Sequence, residues 1–194
     1  GFSPRKLPTL LRQKGVVGLY IFTLLISTSY YIGYSYIEPF MKQVAGMRDS
    51  LVTTTLMIYG GAGFLGSIAF SRYYNRNRKR FISVIVAIMS VCLLLLTPIS
   101  GSWVTLIAVC ALWGLATTAY NVAMQSNIIL ITTPESTSVA MSIFSGIFNL
   151  GIGSGAFFGG IICSQASIAY IGYAGALLGL TGLAYWVCRL GSRV

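Results

Sequence analysis

The chain has 194 residues, of which 56% are hydrophobic and only 8% charged, and its mean hydropathy is +0.80. That balance excludes an ordinary soluble domain. A net charge of +10 would suit nucleic acid, but the basic residues sit in short segments flanking long apolar runs, which is the pattern of a membrane protein.

Residues 1–15 read as a basic, proline-containing linker lying on a membrane surface, with Arg5, Lys6, Arg12 and Lys14. No apolar signal core follows the first residues and no initiator Met is present, so a fragment or processed chain is expected. Six apolar runs come next, at 16–38, 50–71, 81–99, 102–126, 137–163 and 168–189, within a transmembrane domain of 16–190. A short tail, 191–194, closes the chain. Each run is about 19–27 residues, against about 20 needed to cross ~30 Å of hydrocarbon. Threading the chain through them puts eleven of the thirteen basic residues on one side and leaves Lys42 and Arg48 on the other. The positive-inside rule makes the rich side cytoplasmic, with both termini there. Anionic headgroups are the expected partners of Arg76, Arg78, Lys79 and Arg80.

The first run should stop near Glu38, because Pro39 disfavours helix in the residue before it. A carboxylate at a helix C-terminus is disfavoured by the macrodipole, so Glu38 needs a compensating cation, proton or substrate hydroxyl. Ser27, Tyr31, Tyr34 and Glu38 share one face at i, i+4, i+7, i+11. Tyr31 and Tyr34 lie between midplane and rim, where phenols suit either packing or a polar cavity. Asp49 or Ser50 is expected to cap the second run. Within it, Gly61-Ala-Gly63-Phe-Leu-Gly66 matches GxGxxG, but it lies inside an apolar helix without a preceding strand, so nucleotide binding is not expected. The third run has little polar content and is expected to face lipid.

Trp103 opens the fourth run as an interfacial anchor, and Tyr185 and Trp186 end the sixth as the matching inner belt. Trp113 lies ~17 Å into the fourth run, near the centre, where its N–H needs a partner. Asn149 is ~18 Å into the fifth, where a buried amide costs several kcal/mol unless hydrogen-bonded. Either another helix satisfies it or it faces a water-filled cavity and reads substrate. Gly151, Gly155 and Gly159 in the fifth run, and Gly172, Gly175, Gly179 and Gly182 in the sixth, mark close helix contacts.

Histidine is absent and only three acids are present, so no nucleophile–base pair can be assembled and no enzyme is expected. Cys92, Cys110, Cys163 and Cys188 lie in different runs without CxxC spacing, so no disulfide framework, metal site or other cofactor is expected.

The order of segments, with YSYIEPF at 34–40, GGAGFLGS at 60–67 and SIFSGIFNLGIGSGA at 142–156, resembles the C-terminal half of a bacterial sugar efflux transporter. That group belongs to the drug:proton antiporter branch of the major facilitator superfamily. The resemblance implies an all-α half-bundle of six helices, spans seven to twelve of twelve, in a bacterial inner membrane. It implies proton-coupled export of a sugar or related small molecule by alternating access, with an N-terminal six-helix half as partner. Tyr31, Tyr34, Trp113 and Asn149 would line the cavity and Glu38 would act as gate or proton partner. Arg72, Arg76 and Arg78 would form a cytoplasmic gating loop. Residues 66–80 resemble the family's cytoplasmic GxLxDRxGRR motif but lack its Asp at Ser71-Arg72-Tyr73, which puts the usual charge latch in doubt. The alternatives are a multidrug exporter half, since an apolar aromatic cavity suits lipophilic compounds, and a non-transporting membrane domain that self-associates.

Overall fold

A computed structural model describes residues 3–194, and the described residues contain helices and turns but no strand. A 3₁₀ turn at Pro4–Lys6 leads into α1 (Leu7–Arg12), followed by α2 (Val16–Tyr34), α3 (Ile37–Gln43), α4 (Asp49–Tyr73) and α5 (Arg78–Leu95). Then come α6 (Trp103–Ile131), α7 (Thr137–Gln165) and α8 (Ile171–Tyr185), the last running into a π-helical turn at Trp186–Leu190. Among the described residues, five segments are long and apolar enough to cross a membrane: Val16–Gln43, Asp49–Arg76, Trp103–Ile131, Thr137–Gln165 and Ile168–Leu190. The third apolar run forms α5, an 18-residue helix whose first three residues are Arg78, Lys79 and Arg80. Beyond Arg80 it extends only ~22 Å.

The helices form an arc in which neighbours in space are α7, α2, α8, α5, α6 and α4. The innermost is α2, and α7 and α4 stand at the two ends. Lipid offers little hydrophobic drive between helices, so close packing must supply the attraction, and small residues permit it. At Gly155 a Cβ would lie 2.8 Å from the Thr28 carbonyl oxygen, and at Gly175 it would lie 2.9 Å from that of Ser29. These stripes bring α7 and α8 onto opposite sides of α2, as their spacing in the sequence leads one to expect. The Gly63–Gly66 pair does the same for α4 on α6, which accounts for the GxGxxG match as helix packing.

In α5, Phe81, Ile82, Ile85, Val86, Met89, Cys92 and Leu93 are buried against α6 and α8. The expectation that this helix faces lipid therefore holds only for its outer stripe of Val84, Val91 and Leu94. Trp186 is also corrected. It is 1% exposed, stacks on Phe22 at 5.1 Å and donates its indole N–H to the Lys79 carbonyl at 3.1 Å. It is a core residue because α8 ends against the start of α5. Trp103 is exposed, as an interfacial anchor should be, and donates to the Ala45 carbonyl at 2.7 Å.

The chain breaks between α2 and α3 one turn before Pro39. Proline has no N–H to give to Ser35, four residues back, and its ring would collide with that carbonyl. The helix stops at Tyr34 and restarts, with Tyr36 at φ −119°, ψ 13° as the cap of α3. Pro39 then occupies the first turn of a helix, where a missing N–H costs nothing. At the other end of the molecule, Trp186 holds the α4–α5 turn to the C-terminal segment. Gly15, at φ +84°, packs against Arg193 and Val194. The basic N-terminal linker, turn and tail thus share one end of the bundle. The linker itself docks on the α6–α7 connection, with Lys6 3.4 Å from Glu135 and Gln13 donating to the Ser136 hydroxyl.

Candidate functional site

Three tyrosines of α2 and one aromatic residue from each of α4, α6 and α7 meet in a single cluster. Trp113 is fully buried at its centre. Its indole takes the rings of Tyr30 and Tyr59 edge-on at 5.5 Å each, and that of Tyr34 at 6.1 Å. Tyr30 and Tyr34, one turn apart on α2, stack at 5.2 Å with planes 13° apart. Tyr31 meets Phe148 of α7 at 6.0 Å. Edge-to-face and offset geometries of this kind suit the ring quadrupoles and add to what burial alone contributes. Gly33 lies beside the indole, but what its missing side chain makes room for is Leu93: a Cβ there would lie 2.5 Å from Leu93 Cδ2 and at ordinary contact distance, 3.4 Å, from Trp113 Cη2.

A hydroxyl chain runs through the rings. The Tyr30 and Tyr59 hydroxyls bond each other, Tyr59 donates to Thr117 Oγ1 at 3.3 Å, and Thr117 donates to its own helix at the Trp113 carbonyl. Asn121 donates to the Thr117 carbonyl at 3.1 Å, extending the polar line along α6. The Trp113 indole N–H is buried and makes no hydrogen bond among the described residues. Such a donor costs roughly 1–3 kcal/mol while unpaired. The cluster is packed shut toward Ser27 and Thr117, and its accessible edge is formed by Tyr31 and Tyr34, both half-buried.

Of the residues expected at the site, Tyr31, Tyr34 and Trp113 come together here. Tyr30, Tyr59 and Thr117 join them from positions whose spacing gave no signal. Tyr59 could be found only by knowing that α4 packs on α6. Asn149 is exposed on α7, and its side-chain N–H donates to the Ser145 carbonyl of its own helix at 2.9 Å. No other helix of the described residues holds it. With Ser142 and Ser145 it makes a polar stripe on the exposed side of α7.

Glu38 requires a correction. It lies in the first turn of α3, not at the C-terminus of a longer helix, so the macrodipole favours its charge. Lys42, one turn on, is 3.2 Å from Glu38 and also 3.2 Å from Asp49. Asp49 therefore tethers the start of α4 to α3, and no side-chain cap forms at that terminus. At the opposite end, the Arg78 guanidinium sits 6.0 Å from the ring of Tyr74, and Arg76 sits 5.5 Å from Tyr73. Tyr74 is buried and donates to Asn127 Oδ1 at 2.7 Å, which anchors the turn on α6. Arg72, Arg76 and Arg78 take part in no ion pair among the described residues.

The described residues thus form a bundle of membrane-length helices with inward aromatic and hydroxyl groups and an exposed polar stripe on α7. The model of the Major Facilitator Superfamily matches residues 5–193. The chain belongs to that superfamily. Its members are transporters and not enzymes, so the facilitator fold makes this a multi-pass membrane protein with a small-molecule substrate and a lipid surround.

Proposed function

We propose that this chain is the C-terminal six-helix half of a proton-coupled secondary transporter that exports sugars or related small molecules from the bacterial cytoplasm by alternating access. In this reading α5 is the remaining crossing, and the basic end of the bundle, with both termini, faces the cytoplasm of an inner-membrane protein. The observation that carries the proposal is the aromatic cluster with an open edge. At the open edge Tyr31 and Tyr34 pack on the apolar faces of a pyranose; the hydroxyl chain and the unpaired Trp113 N–H are enclosed in this packing and exchange hydrogen bonds with the sugar's hydroxyls once α4 rocks away from α2. A purely lipophilic drug would leave those groups unpaired, which favours the sugar reading over the multidrug one.

The cluster forms one wall of a site and not an enclosed pocket. Asn149, Ser145 and Ser142 add an exposed polar stripe that lipid would not accommodate. Both features support a missing opposite wall, supplied by an N-terminal half. Protons are then carried mainly by acids of that half. Glu38 takes the role of an outer gate, paired with Lys42 and Asp49, and the Arg72, Arg76 and Arg78 turn that of an inner one.

The test is efflux of labelled sugars from proteoliposomes under an imposed proton gradient. The chain alone should move nothing. Co-reconstituted with a six-helix N-terminal half, it should export, and Trp113→Phe should reduce export at least tenfold by removing the indole donor. Export by the chain alone, or full export by the Trp113 variant, would overturn the proposal.

A further inference from the structure

Helices α4 and α5 both lean on α6 and hardly touch each other. The gap between them is a groove of about 410 Å³, within the range of small-molecule sites. Its chemistry is graded along its length. Arg76 and Arg80 stand at the mouth with Asn77, and deeper in the groove the walls are Val84, Ile85 and Ile88, with Leu115 of α6 behind them. Over the ~12 Å from Arg80 to Ile88 the groove passes from two cations to hydrocarbon alone.

The two guanidinium groups have no protein counter-ion among the described residues, where the ion pairs engage only Lys6 and Lys42. The other basic residues of the turn point elsewhere. Arg78 sits over Tyr74, and the Lys79 stem lies against Gly191 at the C-terminal segment. Five basic residues therefore do not act as one diffuse patch. Arg76, over the groove-lining ring of Tyr73, and Arg80 guard the groove, while Arg78 and Lys79 are engaged at Tyr74 and at the C-terminal segment.

We infer that this groove holds one anionic diacyl phospholipid, with its phosphate between Arg76 and Arg80 and an acyl chain laid along Val84 and Ile88. A phosphate takes charge-assisted hydrogen bonds from both guanidinium groups, and the chain removes apolar wall from the surrounding lipid. A bound lipid would brace the α4–α5 turn from outside the transport path, and this inference does not depend on which solute is carried.

Native mass spectrometry of the chain in mild detergent, with added phosphatidylglycerol or phosphatidylcholine of the same acyl composition, tests it. One retained phosphatidylglycerol is expected, and no phosphatidylcholine. Arg76→Gln/Arg80→Gln should lower retention about thirtyfold, from two lost surface charges. The charge-matched control Arg78→Gln/Lys79→Gln should stay within about twofold. Val84→Trp keeps every charge and plugs the groove from an exposed position, so it should also abolish retention. Equal losses in the two charge variants, or undiminished retention in Val84→Trp, would reduce the effect to general surface attraction and overturn the site. Glycerol phosphate should not compete; competition by it would mean that the headgroup alone binds and the groove does not.

Discussion

Alanine substitution along one stretch of α4 separates packing from phosphate binding as the reason for its glycines. At Gly66 a Cβ would overlap the Leu115 carbonyl oxygen and lie 3.1 Å from both the Leu115 carbonyl carbon and the Ala119 nitrogen. Those are backbone atoms of α6 and cannot rotate away, so α4 must retreat by ~1 Å, and a gap of that size forfeits a quarter to a half of each dispersion contact along the seam. Overpacking of this kind costs about 1–3 kcal/mol. At Gly63 the obstacle is the Thr118 side chain, which can turn, so the cost should be smaller. At Gly61 nothing lies within 4 Å, and Gly61→Ala should gain roughly 0.5–1 kcal/mol from helix propensity. The assay is unfolding in mixed micelles against increasing dodecyl sulfate, followed by far-ultraviolet circular dichroism. The expected order of stability is Gly61→Ala above wild type, then Gly63→Ala, then Gly66→Ala. A Gly61 variant as damaged as the Gly66 variant would refute the packing argument.

Trp186→Phe removes a buried indole and its bond to the Lys79 carbonyl, and should cost about 2 kcal/mol. Trp103→Phe, at an exposed position, should cost no more than about 1 kcal/mol in the same titration. Asn149→Leu should leave stability unchanged, because the amide bonds only its own helix, but should lower sugar export by the assembled transporter roughly tenfold; unchanged export would remove Asn149 from the transport path. Glu38→Gln should leave the pH profile of export in place if Glu38 is the gate of the proposed reading, because its carboxylate is exposed and paired with Lys42. A shifted profile would restore the proton role.

Much of the helical layout was legible because hydropathy and length act locally. Five of the six expected runs became segments able to span a membrane, with ends within a few residues of the expected ones, apart from the first, second and fourth, whose segments run five residues further. The glycine stripes were legible for the same reason: the period of small residues follows from one helix alone. What escaped depends on a neighbour. Trp186 looks like a belt residue until α5 is known to start beside it. Glu38 was placed at the wrong kind of helix end because Pro39 can be read in two ways, as a stop for the helix before it or as the first turn of the next. Only the Ser35 carbonyl, four residues back, decides between them. The α5 run reads as lipid-facing from composition, although composition alone cannot tell a helix wedged between two others from one in lipid, since both are apolar.

The candidate site was half legible for a related reason. Tyr31 and Tyr34 stand out as polar-tipped rings on one face, and Trp113 as an indole at the wrong depth. Tyr30 and Tyr59 do not, because each looks like an ordinary interior ring until the contact between α2 and α4 brings their hydroxyls together. That contact gives the cluster a property no single helix has: the hydroxyl chain from Tyr30 to Thr117 crosses three helices. Any rocking of α4 against α2 must break or re-form it. A solute whose hydroxyls replace the Tyr30–Tyr59 bond would lower the cost of separating those helices, and a solute without hydroxyls would not. Under the proposed sugar-export reading, alternating access would need no separate sensor, because the groups proposed to recognise the sugar are the ones that bond α2 to α4 in its absence.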